Sequence, residues 1–467
     1  MTNFKKQTVR FVALLLVAIM LTCALVSCTK ASEVDVLRTE NFSVSAAMVT
    51  YSLYDTYHYY YNQFGAEQLL YYLGIDPNKP LDKQYSDEKG VTWFDVFKTD
   101  AVNSFCDALS LCEAALAAGI ELTELDRKYI DAEIDAIEQL ANKDGLTLKK
   151  YIKNVYGNNV KEEDIRKSLE LYRLANKMRY KEYCSVNVTP EDIKEIVDKE
   201  GHTFLQRDVI YFDLTLSNDA AKTAKIKEYA AKLKEAKTEE EFRSIVDEFV
   251  KSEYCVNKDT KKKVLEKTVY NNVEEDMQTA VDRWFFASGT SVGKTYLVEG
   301  NSSHTVYMAV GDAVMDETPT RNMYTIVLEP FGYGTLDDCK AKAEEIYNKW
   351  KADGAKLEDF KALVRQYSTD DVSVFADGLY SNIKKGDMID ELDAWLFGKD
   401  TEVGAHTFMS TKYGCHIVYY SGDGEPAWKA PVIDQIKESK VSSVIYSYTE
   451  KYPVTQVEGN MKYVKAN

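Results

Sequence analysis

The most informative segment in the second half of this chain is Thr411-Lys412-Tyr413-Gly414-Cys415-His416-Ile417-Val418-Tyr419-Tyr420. It combines a Thr-x-x-Gly-x-His-Ile pattern with a run from His416 to Tyr420 that is rich in β-branched and aromatic residues. Such runs are typical of strands. The sequence therefore predicts a strand that begins near His416 and carries this histidine.

The residues around this stretch repeat an earlier part of the chain. The match needs no gap, and each pair of positions differs by 111, as Met388 and Met277 show (388 minus 277). The matched positions are Asp276-Met277, Asp282, Trp284, Phe286, Thr290, Val292, Gly293 and Gly311-Asp312, against Asp387-Met388, Asp393, Trp395, Phe397, Thr401, Val403, Gly404 and Gly422-Asp423. Further upstream, Glu241-Phe242 matches Asp359-Phe360 in type at an offset of 118. This density of matches indicates an internal duplication.

Each copy has the same order of predicted elements, which is a strand, then helices, then a second strand. The first copy places them at Val209–Phe212, near 217 to 250, and at Thr305–Val310. The second copy places them at Tyr324–Val327, near 336 to 367, and at His416–Tyr420. We therefore expect two tandem modules, each a small antiparallel sheet with helices.

The region from about 33 to 200 reads as almost wholly helical. Thr123 with Asp126, and Thr189 with Pro190 and Asp192, have the pattern of helix starts, in which a hydroxyl and a carboxylate satisfy free N–H groups. Two apolar stripes at helical spacing predict one buried face for each helix. They are Val102, Phe105, Leu109, Cys112 and Leu116, and Ile130, Ile134, Ile137 and Ala141; Gly145 and Gly157 stand where helices would end.

The end of the chain is predicted to be helical again. Gly424, Pro426 and Pro431 indicate a linker after the second copy, and residues 432 to 451 follow as a helix that we expect to return to the N-terminal body. The predicted fold class is therefore α+β. It consists of a helical, chaperone-like body, made of N- and C-terminal helices, with two tandem modules inserted.

The first residues have the order of a secretory signal. Lys5, Lys6 and Arg10 precede an apolar run from Phe11 to Val26, and the segment ends in Leu25-Val26-Ser27-Cys28. These last four residues resemble a bacterial lipobox, which implies removal of residues 1–27 and lipidation of Cys28. The alternative is an uncleaved membrane anchor, although the run is short for a span of about 20 residues.

Composition limits the kinds of partner. With 467 residues, of which 45% are hydrophobic, the chain can form two to four domains with buried cores. The formal charge is -17, and loss of the three basic residues in the signal brings the mature chain to about -20 (-17 minus 3). Such a surface repels nucleic acid and favours basic or unfolded partners.

Cysteine and histidine are scattered and give no sign of a metal or a cofactor. The cysteines of the mature chain beyond Cys28 form no Cys-x-x-Cys pair, and we expect buried thiols rather than disulfides. The five histidines are equally dispersed, so the sequence predicts no zinc site.

Residues from about 320 to 422 resemble the parvulin-type peptidyl-prolyl cis-trans isomerases. The matching segments are Tyr367-Ser368-Thr369-Asp370, Gly378-Leu379-Tyr380-Ser381, Lys385-Gly386-Asp387-Met388, Leu392, Phe397 and Thr411 to Ile417. The chain as a whole resembles the PrsA- and SurA-like extracytoplasmic foldase lipoproteins. The resemblance implies a division into a chaperone-like domain at 28–200, a degenerate module at 201–313, an isomerase module at 320–423 and a returning helix within 424–467.

The resemblance also implies a site. Asp370, Thr411 and His416 would form its polar part, with Tyr324 where the family carries a histidine on the first strand. Met388, Leu392 and Phe397 would hold the proline ring, although apolar residues at helical spacing are more often core, Phe397 above all. Asp370 has the alternative role of capping a turn.

The first copy is expected to lack an isomerase site. Gly300 stands opposite Thr411, and Thr305 stands opposite His416. His304 is one residue away and therefore on the other face of the strand.

The implied function is that of a lipid-anchored foldase, on the outer side of the cell membrane, that rotates X-Pro bonds and holds unfolded or newly secreted proteins. A cluster of aromatic residues in the helical body is suited to weak contact with unfolded proteins, and packing in the core of the body is the alternative role. The cluster consists of Tyr51, Tyr54, Tyr57, Tyr59, Tyr60, Tyr61 and Phe64. Two other functions stay open, which are a binding chaperone with inactive modules and a solute-binding lipoprotein with β-α units around a cleft.

Overall fold

The computed structural model describes residues 31–255, 268–271 and 279–466. The predicted signal segment 1–27 and the predicted lipidation site at Cys28 lie outside these residues. Within the described ranges, no helix combines the length and the apolar character that crossing a membrane requires.

A helical body occupies the N-terminal part of the chain. Its helices are α1 (Ala46–Leu73), α2 (Trp93–Ala117), α3 (Glu124–Lys143), α4 (Leu148–Val155), α5 (Glu162–Ser185) and α6 (Pro190–Glu200). The predicted caps are confirmed, because the Thr123 side chain accepts from the Asp126 N–H and the Thr189 side chain accepts from the Asp192 N–H. Short 3-10 turns lie at Ala31–Glu33, Leu81–Lys83, Gly201–Phe204 and Met461–Tyr463.

The body also contains a small sheet, which the sequence did not predict. Strand β1 (Asp35–Arg38) pairs with β2 (Ser43–Ser45) on one side and with β12 (Thr455–Gln456), which comes from the end of the chain, on the other. The Cα partners are Leu37 with Gln456 and Arg38 with Thr455. The C-terminal residues are thus joined to the start of the body by a three-stranded antiparallel sheet.

The helical stripes are buried over most of their length. Phe105, Leu109 and Cys112 of α2 are inaccessible to solvent and pack in the core of the body. Leu116, at the end of the same stripe, is exposed because α2 ends one residue later, at Ala117. The expectation that Leu116 faces the core is therefore wrong.

The first copy of the repeat forms a sheet with two helices packed on it. Its elements are β3 (Leu205–Thr215), α7 (Ala220–Glu235), α8 (Glu239–Lys251), β4 (Thr268–Asn271), α9 (Ala280–Phe285), β5 (Thr295–Glu299), β6 (Ser303–Ala309) and β7 (Val314–Met315). The strand order is β4-β3-β6-β5, and β7 pairs with β3 at one end.

The second copy has the same arrangement. Its elements are β8 (Arg321–Leu328), α10 (Pro330–Tyr333), α11 (Leu336–Ala352), α12 (Leu357–Tyr367), α13 (Asp371–Phe375), β9 (Leu379–Ile383), α14 (Asp390–Leu396), β10 (His406–Ser410) and β11 (Cys415–Asp423). Its strand order is β9-β8-β11-β10, which corresponds strand by strand to the order β4-β3-β6-β5 of the first sheet. Each described pairing in both sheets is antiparallel. The predicted α+β fold class is confirmed.

The two faces of the second sheet are covered by different layers. Ile326, Leu328 and Ile417 face helices α11 and α12. Met323 and Val418 point the other way, where α14 covers them. This second face, called the α14 face below, carries the candidate site.

The last helix, α15 (Lys429–Lys451), contacts α2, α5 and α6 of the body. Lys440 forms an ion pair with Asp192 at 2.7 Å, and Arg179 forms one with Glu438 at 2.6 Å. Pro431 lies inside the first turn of α15 and not in a linker as predicted. Proline fits there because the first N–H groups of a helix have no intrahelical partner.

The cysteines of the described residues are free. Cys112, Cys255, Cys339 and Cys415 are buried as predicted, whereas Cys106 and Cys184 are only partly buried. Within the described ranges, no group of three or more histidine, cysteine and acidic side chains is placed to hold a metal ion.

Candidate active site

His416 lies in the middle of the second sheet. On β11 its Cα partners are Val327 of β8 and Met409 of β10. Because side chains alternate along a strand, His416 shares a face with Val418 and not with Ile417. The imidazole therefore belongs to the α14 face.

The turn between β10 and β11 places Thr411 beside this imidazole. The Thr411 N–H donates to the Gly414 carbonyl at 2.8 Å, and the Tyr413 N–H donates to Oγ1 of Thr411 at 3.2 Å. Gly414 is required here, because a Cβ at this position would stand 2.5 Å from the Leu328 carbonyl oxygen. As a result, Oγ1 of Thr411 lies 3.4 Å from Nε2 of His416.

Asp370 stands at the start of α13 and has two partners. One carboxylate oxygen, Oδ2, accepts the Ser373 N–H at 3.1 Å and the Tyr380 hydroxyl at 2.6 Å. Asp370 is thus the N-cap of α13. The sequence left capping as an alternative to a site role for Asp370. In the structure Asp370 caps α13 and also lies near the candidate site.

Two opposing effects set the proton affinity of His416. Burial lowers the pKa of His416 below its ordinary value, and this is the larger effect. The negative charges of Asp370 and Glu391 act in the other direction. The imidazole is therefore neutral at pH 7, with one nitrogen that can accept a hydrogen bond and one that can donate.

Tyr380 is a site residue whose role the sequence did not reveal. Burial, and next the charge of Asp370, raise the pKa of Tyr380 above its ordinary value. The hydroxyl therefore stays protonated and acts as a donor to Asp370. The segment 378–381 is part of the resemblance to the parvulins, but its sequence gave no sign of which residue faces inward.

Apolar side chains complete the α14 face. Met388, Leu392 and Phe397 belong to one cluster with Val418 and Met409, so the structure brings the three predicted residues together. Leu392 is fully covered, whereas Met388 is partly exposed.

Phe397 lies at the edge of this cluster and has a cationic neighbour. The Arg321 guanidinium lies over the Phe397 ring at 5.4 Å and over the Tyr420 ring at 4.9 Å. The Phe397 ring therefore has packing partners within the domain, and its contact with a proline ring stays a prediction.

Tyr324 does not share the face of His416, which corrects the sequence-based assignment. It packs with the residues under α11 and α12, and the Lys361 ammonium lies 5.6 Å from the centre of its ring. The next residue, Thr325, points to the α14 face. Its Oγ1 is buried and has no hydrogen-bond partner among the described residues.

The corresponding face of the first copy has different chemistry. Thr305, which stands where the second copy has His416, donates from Oγ1 to Oδ1 of Asp213 at 2.6 Å. The rings of Tyr211 and Tyr307 lie 5.6 Å apart on the same face. His304 is buried on the opposite face, as the alternation predicted.

Comparison with known families matches one part of the chain. Residues 328–422 match the family model described as Rotamase: PPIC-type PPIASE domain. A search of curated proteins found no match. The matched segment contains Asp370, Tyr380, Met388, Leu392, Thr411 and His416, whereas Arg321, Met323 and Thr325 precede it.

Solved structures of peptidyl-prolyl isomerases and foldases are similar to the chain at low identity. PrsA from Bacillus subtilis is 14% identical, with 79% of this chain and 91% of that chain covered and a TM-score of 0.23. Foldase protein (PrsA) from Lactococcus lactis is 10% identical, with 92% and 99% covered and a TM-score of 0.27. Peptidylprolyl isomerase (PrsA) from Bacillus anthracis is 11% identical, with 75% and 96% covered and a TM-score of 0.19. At TM-scores this low, the family match over residues 328–422 is the comparison that bears on the site.

Proposed function

Since the chain contains a PPIC-type peptidyl-prolyl isomerase domain at residues 328–422, we propose that it is an extracytoplasmic foldase. It catalyses rotation about X-Pro bonds in unfolded or newly secreted proteins, and its body holds these proteins while they fold. The proposal includes lipidation at Cys28, which would keep the chain at the outer face of the cell membrane. It includes no cofactor and no nucleic-acid partner.

The reaction needs little covalent chemistry. The barrier to rotation about a peptide bond is about 18–20 kcal/mol, and it falls when the amide loses its resonance. A site therefore needs an apolar surface for the proline ring and polar groups that favour the twisted amide. An acceleration of about a thousandfold corresponds to about 4 kcal/mol, which one or two hydrogen bonds in a dry site can supply.

The main support for the proposal is that polar groups and apolar side chains lie together on the α14 face. The Thr411–His416 pair, at 3.4 Å, and the Asp370–Tyr380 pair, at 2.6 Å, flank the α14 face. Met388 lies in the apolar cluster of the same face. We propose Met388 and Leu392 as the contacts of the proline ring, and Thr411, His416 and Asp370 as the polar groups.

A second candidate function, a binding chaperone, is supported by the surface of α1. Near a break in this helix at Gly65 several aromatic rings face solvent, and Tyr71 is 81% exposed and Tyr72 70% exposed. A groove of about 640 Å³ runs beside them, lined by Tyr60, Phe64, Trp93 and Phe97. Tyr51 and Tyr54, by contrast, are core residues.

The two functions are compatible, and we propose both for the full chain. The third reading, a solute-binding lipoprotein, is not supported, because the described sheets are antiparallel and have no β-α units around a cleft.

The test separates catalysis from holding. The rate of isomerisation of a short X-Pro peptide and the suppression of aggregation of a reduced, unfolded protein are measured for wild type, His416→Ala and Phe64→Ser. We expect His416→Ala to lose isomerisation and keep suppression, and Phe64→Ser to do the reverse. If wild type leaves the peptide at its uncatalysed rate while it still suppresses aggregation, the isomerase proposal is wrong and the binding chaperone stands.

A further inference from the structure

The body and the isomerase domain meet at the turn that carries Asp370. Helix α5 of the body contacts α13, and α3 contacts α10. Asp371, the first residue of α13, directly follows Asp370 in the chain. The part of the isomerase domain that touches the body is therefore next to a residue of the proposed site.

Arg173 of α5 is the centre of this contact. Its Nε donates to Oδ1 of Asp126 at 2.8 Å, and its NH1 pairs with Oδ2 of Asp371 at 2.7 Å. The guanidinium also lies over the Tyr129 ring, 4.5 Å from its centre. One planar group thus joins two helices of the body to the isomerase domain, a geometry that lysine cannot reproduce.

The ion pairs lie largely out of solvent. The side chain of Arg173 is 15% exposed and that of Asp371 is 12% exposed. Lys177 shares Asp126 with Arg173, at 2.7 Å. Removal of one partner of such a pair is costly, because it leaves an uncompensated charge out of solvent.

Asp371 is surrounded by charged groups from both the body and the isomerase domain. Burial is the largest effect on the pKa of Asp371 and raises it above its ordinary value; Arg173 and Lys177 lower it, and Asp126 and Asp370 raise it. The two cations of α5 therefore favour the charged form of this carboxylate, against the effect of its burial. Glu329, which accepts a hydrogen bond from Thr369 at 2.9 Å, adds a further negative charge on the side of the isomerase domain.

We infer that Arg173 is a positioning residue of the isomerase site, which acts from the helical body by holding Asp371 and, through it, the turn that carries Asp370. The inference rests on the proposed function. Helix α13 has only five residues, so a fixed Asp371 also fixes the orientation of Asp370 at its N-cap. Asp370 in turn binds the Tyr380 hydroxyl and acts on His416 by its charge. The isomerase domain is therefore fully active only while it is docked on the body.

The test uses the full chain with Arg173→Met, which keeps much of the apolar contact and removes the charge. We expect kcat/KM for an X-Pro peptide to fall about 10- to 100-fold, since a misplacement of about 1 Å costs on the order of 100-fold. Arg173→Lys should recover part of the loss, because lysine can pair with one of the two carboxylates but not hold both. Asp371→Asn is a second variant, of nearly unchanged shape, that breaks the same pair from the other side.

The matched control is Lys128→Met. Lys128 also crosses between body and isomerase domain, since its ammonium donates to the Gly332 carbonyl at 3.0 Å, but it touches α10 and not the turn of Asp370. We expect Lys128→Met to keep the wild-type kcat/KM. If it loses as much activity as Arg173→Met, general weakening of the interface explains both, and the inference is wrong.

A second readout does not depend on activity. In Arg173→Met the loss of a positive charge would by itself raise the pKa of His416, whereas retreat of Asp370 lowers it. We expect the pKa measured by NMR on the imidazole of His416 to fall. An unchanged or raised pKa contradicts the inference. If wild type shows no isomerisation, the proposed function fails by itself, and the NMR result still decides whether Arg173 positions Asp370.

Discussion

The hydroxyl of Tyr380 donates a 2.6 Å hydrogen bond to Oδ2 of Asp370, the same oxygen that caps α13 through the Ser373 N–H. This pair joins the edge strand β9 to the turn after α12. A carboxylate with two donors on one oxygen has a fixed orientation, so the charge of Asp370 stays directed toward the α14 face.

Tyr380→Phe should therefore reduce catalysis. We expect kcat/KM for an X-Pro peptide to fall about tenfold, because a hydrogen bond to a charged group contributes about 1.5–3 kcal/mol and about 1.4 kcal/mol corresponds to tenfold. The control is Tyr419→Phe, on the same sheet but on the face of α11 and α12. Equal losses in the two variants would contradict a special role for the Tyr380 hydroxyl.

The pH dependence of catalysis should follow His416. Because burial lowers the pKa of His416, the neutral imidazole persists below the ordinary value of about 6.5. We expect kcat/KM to be constant above this value and to fall on acidification, with a midpoint below it, as His416 becomes protonated. The measurement is a pH–rate profile of wild type together with an NMR titration of the His416 imidazole, and an acid limb whose midpoint differs from the pKa of His416 would assign the titration to another group.

Thr325→Val should stabilise the chain. The Thr325 hydroxyl is buried without a partner among the described residues, and replacement by a methyl of the same shape removes that cost. We expect the free energy of unfolding to rise by about 1 kcal/mol.

Thr369→Val is the contrasting control for Thr325→Val. The Thr369 hydroxyl has partners, which are the Val327 carbonyl at 3.1 Å and Glu329 at 2.9 Å, so its loss should lower the free energy of unfolding. Equal effects of the two substitutions in a denaturant titration would show that the Thr325 hydroxyl is not unsatisfied.

The C-terminal helix should contribute to the stability of the body. Ile436 of α15 is buried, and truncation to alanine at such a position costs about 2–5 kcal/mol. We expect Ile436→Ala to shift the denaturant midpoint accordingly, while Ser442→Ala, on the exposed side of the same helix, changes the free energy of unfolding by less than about 0.5 kcal/mol. Similar small effects of both would mean that α15 is not firmly packed.

The features that sequence predicted well are those set by neighbouring residues. The caps at Thr123 and Thr189 involve atoms three residues apart, and the strand at His416 follows from its own composition. The duplication predicted that both copies would share one order of elements, and the two sheets have that order.

The features that sequence missed depend on distant pairings. The face of Tyr324 follows from its register with Tyr419 on β11, and an error of one residue moves a side chain to the opposite face. Strand β1 needs β12 from the other end of the chain. The pair of Arg173 and Asp371 joins residues 198 positions apart (371 minus 173), which no local pattern can indicate.

We propose above that the α14 face of the second copy catalyses rotation about X-Pro bonds through His416 and its neighbours. Exchange NMR on a proline peptide measures the rate of cis–trans interconversion directly, in the presence of full-length wild type or His416→Gln. We expect the interconversion rate to rise in proportion to the concentration of wild type and to stay near the uncatalysed rate with His416→Gln. Equal rates with both proteins, whether fast or slow, would contradict it.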